Sequence, residues 1–311
     1  MMMNDNYKSA CKPKALKSFL LVACIFLVGF LQNASMVQDH QSRHLEEGNK
    51  KDSPLESRNI PKIVHQTYKT EDLPKNYDIW RKECMKINPG WEFKLWTDED
   101  NENLIKNDYP HLYDLYKSYD VNIKRVDFAR YVFLHQQGGV YMDLDFACLR
   151  PLDTVLEDIH DKFVVAGQFA VADWSSQIFA NAFMATPPKH KVLDLIIAET
   201  PKFKNRAVVA ATGPNFLTGV LKDIPREEDT WTYLPFDVIY GYVYYTDKAD
   251  MCNSHESCKK VHPNGVTMTM WSHSWFDEGA DFKDWETFLL SENEQETSGV
   301  EVKKDATMQL A

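Results

Sequence analysis

The chain of 311 residues has room for one sizeable domain with appendages, and its 44% hydrophobic content, with 8 Trp, 14 Tyr and 17 Phe, supplies a packed core. The formal net charge of −11 argues against wholesale nucleic-acid binding, which needs a basic surface to displace counterions. Part of that acidic excess lies in Ser291–Glu301, so the folded portion is less extreme.

Residues Ser18–Gln38 contain no charged side chain, and Phe19–Leu31 is an unbroken apolar run. As a helix, the uncharged stretch reaches roughly 30 Å, enough to cross a bilayer. Lys8, Lys12, Lys14 and Lys17 precede it, which keeps the N-terminus cytoplasmic and sends the rest across. A cleaved signal peptide competes with this reading, but Asn33-Ala34-Ser35 lacks the small-residue cleavage pattern, so an anchor is expected. A span this short suits a Golgi or endoplasmic-reticulum membrane, with the remainder luminal. The expected organisation is a cytoplasmic tail over 1–17, a span over 18–38 and a flexible polar stem over 39–58. A folded domain follows over 59–290, then a disordered polar tail over 291–311.

Six cysteines are present. Cys11 and Cys24 fall in the tail and the span; Cys252 and Cys258 flank a polar loop of the kind an oxidising lumen bridges. Cys84 and Cys148 are expected to be buried thiols.

Ile63–His65 predicts a first strand after Pro61, and Tyr77–Ile87 a helix stopped by Asn88-Pro89-Gly90. Trp91–Trp96 alternates apolar with polar as a strand does, and Thr97 or Asp98 caps a helix to about Ile105. A helix over Val126–His135 is followed by strands over Val140–Phe146 and Phe163–Gln168, then by helices over Asn181–Met184 and Lys191–Ala198. This alternation predicts an α/β sheet.

The densest signal is Arg125-Val-Asp127-Phe-Ala-Arg130-Tyr followed by Gly138-Gly139-Val-Tyr141-Met-Asp143-Leu-Asp145. On a strand, residues two apart share a face, so Tyr141, Asp143 and Asp145 point together. Two carboxylates so close repel, and a hard divalent ion with oxygen ligands relieves the repulsion and can bridge a diphosphate. Gly138-Gly139 ends the preceding helix and lets backbone approach a ligand. Asp127 and Arg130 lie one helical turn apart, either as an intrahelical ion pair or as groups projecting into the site toward a sugar.

Ile60–Thr67, Leu95–Asp98 and the block Asp127 to Asp145 together resemble glycosyltransferase family 32, the Och1-like and inositolphosphoceramide mannosyltransferases. The resemblance spans about Ile60 to Trp275. It implies a GT-A-type nucleotide-sugar-binding fold, a Rossmann-like mixed sheet flanked by helices. It also implies a nucleotide-sugar donor, Mn2+ or Mg2+, and transfer with retention. By matching position, Asp127, Arg130 and Asn181 would contact donor sugar, and Asp143 and Asp145 would hold metal and diphosphate. His65 and Gln66 would sit near the nucleotide, and Tyr141, Gly213 and Trp275 would complete the donor site. His65 taken by itself also reads as a satisfied strand-end histidine, and Thr212-Gly213-Pro214 as an ordinary loop. The C-terminal motif departs from the family's, because its histidine is displaced, and His273 is the substitute metal ligand. Many inositolphosphoceramide members carry further spans near the C-terminus that this sequence does not show, which lowers the expectation of a lipid acceptor.

The function expected is a metal-dependent retaining transferase moving mannose from GDP-mannose onto a glycan or glycolipid in the Golgi. Two other classes compete. A haloacid-dehalogenase-type phosphatase also uses Asp-x-Asp, but usually places Thr or Val where Ala147 stands. An inactive membrane-tethered sugar- or calcium-binding module would not need the whole Asp127, Arg130, Asp143 and Asp145 set.

Overall fold

A computed structural model describes residues 59–272 except 172, 244–245 and 247–249, all within the unit Ser57–Ala311. The expected cytoplasmic tail, span and stem over 1–58 lie outside the described residues, as do His273, Trp275 and the C-terminal tail. Among the described residues no helix is long and apolar enough to cross a membrane.

Six strands form the main sheet: β1 (Ile63–Thr67), β2 (Glu92–Trp96), β3 (Gly139–Met142), β5 (Phe163–Gly167), β6 (Phe179–Thr186) and β7 (Trp231–Leu234). Their order is β2-β1-β3-β6-β5-β7. β1 pairs in parallel with β2 and β3, β5 in parallel with β7, and β6 runs antiparallel to both its neighbours. Five strands therefore share one direction and β6 opposes them. Two short strands, β4 (Phe146–Cys148) and β8 (Thr267–Thr269), form a separate antiparallel pair.

Every residue of β3 and β5 is buried, as both-faced coverage requires. Tyr141, Phe163 and Val165 pack with α4 (Asn122–Gln137), α5 (Lys191–Phe203) and α6 (Pro214–Asp223) through Phe128, Val132, Val192 and Leu217. Here α1 is Lys75–Ile87, α2 Asp98–Asp108 and α3 Pro110–Lys117, and helices of fewer than eight residues carry no number. Val140, Met142, Val164 and Ala166 face the other way, onto Cys84 of α1, Phe146 and Tyr240. The run Phe128–Leu134 of α4 is buried throughout, so this helix has no solvent stripe there. Thr97 begins α2 with a reciprocal capping box through Asp100, as its position before the helix predicts.

Three sequence expectations change. Asn181–Met184 is not helical but belongs to β6. Ala, Asn, Phe and Met carry no strong preference in so short a run, and the ladders to β3 and β5 decide its state. The strand expected over Val140–Phe146 stops at Met142, turns through Asp143–Asp145, and resumes as β4 in the other sheet. Cys84 and Cys148 are not free thiols: they form a disulfide joining α1 to β4, and Cys252 bonds Cys258 as expected.

Candidate active site

The turn carrying Asp143 and Asp145 is fixed from three directions. Asp143 N–H still donates to Ala182 O at 3.0 Å, extending the β3–β6 ladder by one bond, and Phe146 N–H donates to Asp143 O to close the turn. β6 is irregular here. Its register with β5 slips so that Asn181, Ala182 and Phe183 have no β5 partner, and such bulges re-aim side chains. The slip turns Asn181 onto α4.

There Asn181 meets Asp127 and Arg130. Asp127 Oδ1 accepts from Asn181 Nδ2 at 3.0 Å and from Arg130 Nη2 at 3.0 Å, while its Oδ2 accepts from Thr212 Oγ1 at 3.2 Å. Arg130 Nη1 donates to Asn181 O at 2.8 Å and reaches Asp143 Oδ1 at 3.4 Å. Its guanidinium carbon lies 4.3 Å from the Tyr141 ring centroid. Tyr141 O–H donates to Asp143 Oδ1 and contacts Thr67 Oγ1. The Asp127 and Arg130 pair is the intrahelical ion pair of the first sequence reading, and Arg130 also joins it to the Asp-x-Asp turn.

Asp127, Arg130 and Asn181 are buried, at 4%, 5% and 5% exposure, and engage one another, while Arg130 Nε is left without a hydrogen-bond partner among the described residues. The Asp143 side chain is 35% exposed. Asp143 is the point where the network meets solvent. Burial pushes Asp127 and Asp143 above the ordinary carboxylate range, with Arg130 opposing the rise in both. Burial also works against the charge of Arg130, but Tyr141, Asp127 and Asp143 outweigh it and hold the cation more firmly than usual.

Asp145 does not share a strand face with Tyr141 and Asp143, because the strand has ended. It is held instead by the chain's C-terminal segment: Ser272 N–H and Oγ donate to its Oδ2 at 2.9 and 3.0 Å. Burial first, then the charge of Asp143, raises its pKa to about 6, against the Ser272 bonds that lower it. The Tyr240 ring lies 5.7 Å from that of Phe146, which follows the turn, and burial first, then the same two carboxylates, raise its hydroxyl. Tyr240 stacks on Trp271 with centroids 5.6 Å apart.

His65 and Gln66 sit in the core, fully buried. His65 Nδ1 accepts from Trp96 Nε1 at 3.0 Å, so its Nε2 carries the hydrogen and donates to Gly138 O at 2.9 Å. Burial lowers its pKa to about 4, the behaviour of a neutral packing histidine. Gln66 Oε1 accepts from Arg81 Nη1 at 2.8 Å. The paired glycines also answer to a need of the fold. Gly139 has φ +95°, and a Cβ there would lie 2.5 Å from Ile63 O. Gly138 has φ +65° and is crowded by Pro188. Gly213 precedes α6 and lies close to Val209, an approach that delivers Thr212 to Asp127.

Tyr77, whose Oη lies 2.8 Å from Ser272 Oγ, together with Thr212 and Tyr240, escaped sequence reasoning as site neighbours. Only the Thr212-Gly213-Pro214 turn gave a signal. Tyr77 and Tyr240 are aromatic residues in regular elements with nothing local to mark them.

Residues 74–162 match the family described as a glycosyltransferase sugar-binding region containing the DXD motif. The chain is 32% identical over 239 residues to the mannosyl phosphorylinositol ceramide synthase CSH1 of Saccharomyces cerevisiae, covering 75% of this chain and 57% of that protein. It is 30% identical over 229 residues to inositol phosphoceramide mannosyltransferase 3 of Schizosaccharomyces pombe, covering 72% and 58%. By these matches the chain is similar to the DXD-containing, family-32-like glycosyltransferases. It spans about half the length of the curated relatives it matches. Among solved structures, the PaToxG glycosyltransferase aligns with a TM-score of 0.40 at 16% identity, covering 55% of this chain and 72% of that one. The matched family region contains Asp127, Arg130, Tyr141, Asp143 and Asp145. Asn181, Thr212 and Ser272 join the site from outside it.

Proposed function

We propose that this chain is a divalent-metal-dependent, retaining mannosyltransferase with a GT-A-type fold, using GDP-mannose and a glycolipid of the inositol phosphoceramide class. The observation that carries the reading is the Asp143 and Asp145 pair, exposed on one side and backed by the buried Arg130 and Asp127 couple. The acceptor is taken from the names of the relatives and reverses the lowered expectation of a lipid acceptor drawn from the sequence. An oligomannose glycan is the second acceptor to be tried.

The paired acids fit a hard divalent cation. Each is driven toward its neutral form, Asp145 in part by Asp143, and a cation between them would relieve that strain. Among the described residues no cluster of three His, Cys, Asp or Glu side chains exists to surround an ion. Asp143 and Asp145 would therefore hold Mn2+ or Mg2+ together with diphosphate oxygens and water, and His273 remains the proposed further ligand. When bound, the ion would offset charge building on the leaving diphosphate.

The chain's own groups supply orientation. Arg130 braces Asp143 from behind, and Asp127 fixes both Arg130 and Asn181, so the donor face is organised before the substrate arrives. Asp127 has both oxygens bonded to donors, which suits a holder rather than a nucleophile. Retention then favours front-face attack by the acceptor hydroxyl.

The test is a screen of the full chain in detergent with Mn2+ against GDP-mannose, UDP-glucose and UDP-galactose. Metal-dependent release of GDP is expected, followed by mannose transfer to inositol phosphoceramide in mixed micelles. No turnover of any nucleotide-sugar would defeat the transferase reading. Transfer only to oligomannose would defeat the lipid acceptor alone.

A further inference from the structure

We propose that Tyr77 is a positioning residue for Asp145, acting through Ser272, so that α1 sets the metal-binding geometry of the site. The proposal rests on the metal-dependent reading above. Tyr77 Oη lies 2.8 Å from Ser272 Oγ, and Ser272 Oγ lies 3.0 Å from Asp145 Oδ2. An ionised carboxylate only accepts, so the Ser272 hydroxyl must donate to Asp145. Its single hydrogen is then committed, and Tyr77 must donate into the serine oxygen. The chain of donors runs one way, from phenol to serine to carboxylate, and each bond polarises the next.

Tyr77 is well placed to impose this order. Its side chain is 3% exposed, its ring lies edge-on to Tyr68 at 5.9 Å and tilted against Trp80 at 5.9 Å. The helix that carries it cannot drift. Arg81, one turn on, donates to Gln66 Oε1 of β1 and to Phe93 O of β2. Cys84, two turns on, is bonded to Cys148, three residues beyond Asp145. The Asp145 end of the Asp-x-Asp turn is thus tied to α1 twice, by a covalent link just beyond the turn and by a hydroxyl relay at Asp145 itself. Without Tyr77 the serine hydroxyl can rotate away, and Asp145 loses the contact that fixes its carboxylate plane.

The test compares the full chain, Tyr77→Phe, Ser272→Ala and the double variant by calorimetric titration with GDP, in Mn2+ and again in EDTA. Tyr77→Phe keeps the ring and removes only the hydroxyl. It should weaken GDP binding in Mn2+ by roughly 3- to 10-fold, the span one hydrogen bond is worth, and leave binding in EDTA unchanged. Ser272→Ala should do at least as much, and adding Tyr77→Phe to it should change nothing more. Unaltered Mn2+-dependent binding in Tyr77→Phe would overturn the proposal. So would additive losses in the double variant, because Tyr77 would then act by packing and not through Ser272. A wild-type chain that binds GDP no better with Mn2+ than without would instead remove the metal reading itself, and this proposal with it.

Discussion

Asp145 carries the most unusual environment in the site: a carboxylate pressed by burial and by Asp143, with Ser272 alone pulling the other way among its named side-chain partners. Its folded-state pKa of about 6 lies above the ordinary 3.8, so the folded protein holds that proton more tightly than the unfolded chain. The stability it contributes is therefore full below the ordinary value and is lost as pH rises through about 6. Melting of the metal-free full chain between pH 4 and 7.5 should show wild type falling relative to Asp145→Asn as pH rises. A constant difference across that window would contradict the assignment. Metal binding, which needs the ionised acid, should strengthen over the same interval, and Mn2+-dependent turnover should vanish in Asp145→Asn. Arg130 poses the complementary case. Arg130→Met strands Asp127 in the interior without its cation and should cost about 3–5 kcal/mol in a denaturant melt. Adding Asp127→Asn should recover part of that loss, because the stranded charge is gone; equal loss in single and double variants would show that the side-chain packing of Arg130 matters more than its charge. The sequence made these two residues visible by their helical spacing. It could not show that Asn181 and Thr212 complete their bonding, since those residues lie 54 and 85 positions from Asp127.

At the scale of elements, α1 and β6 position the site, and neither was legible in that role. α1 has an ordinary amphipathic pattern, and its contacts with β4 and Ser272 depend on how the second, two-stranded sheet folds back. The Cys84 and Cys148 bridge follows from that packing: the two thiols are 64 residues apart and meet only because α1 lies on β4. A cross-link over so long a loop restricts the unfolded chain more than the six-residue closure by Cys252 and Cys258. The chain-entropy treatment gives about 4 kcal/mol for the first and about 2 for the second. Urea melts of Cys148→Ala and Cys258→Ala should rank in that order, and a larger loss from Cys258→Ala would refute the loop-length account. β6 shows the opposite failure of local reading. Asn181–Met184 contains residues equally at home in a helix, and only pairing on both edges makes it a strand with a slip at Asn181.

For the whole molecule, the organisation expected from the sequence is a lysine-flanked N-terminal span followed by a luminal domain, which suits the membrane-lipid acceptor proposed above. Residues 1–58 carry that expectation through charge and hydropathy alone. In sealed microsomes, added protease should leave the chain beyond about Asp39 intact until detergent is present. Digestion without detergent would invert the topology, and release of the protein by alkaline carbonate would favour a cleaved signal.

The sequence by itself determined the alternating α/β class, the positions of β1, β2, β5, α1, α2, α4 and α5 and the start of β3, the Asp127 to Asp145 block and the short disulfide, because each is written in local periodicity, capping or spacing. Ile63–Thr67, Glu92–Trp96 and the helix ending at Gly138 follow from patterns a few residues long. Only the tertiary structure decided that His65 is a neutral core group, that Gly139 makes room for Ile63 O, and that Asp145 belongs to Ser272 rather than to a strand face. It also decided which distant side chains close the site. The physical reason is the same in each case: a carboxylate or imidazole is defined by its desolvation and its partners. Those are supplied by segments that become neighbours only when the sheet orders its strands and the chain crosses from β3 into β4.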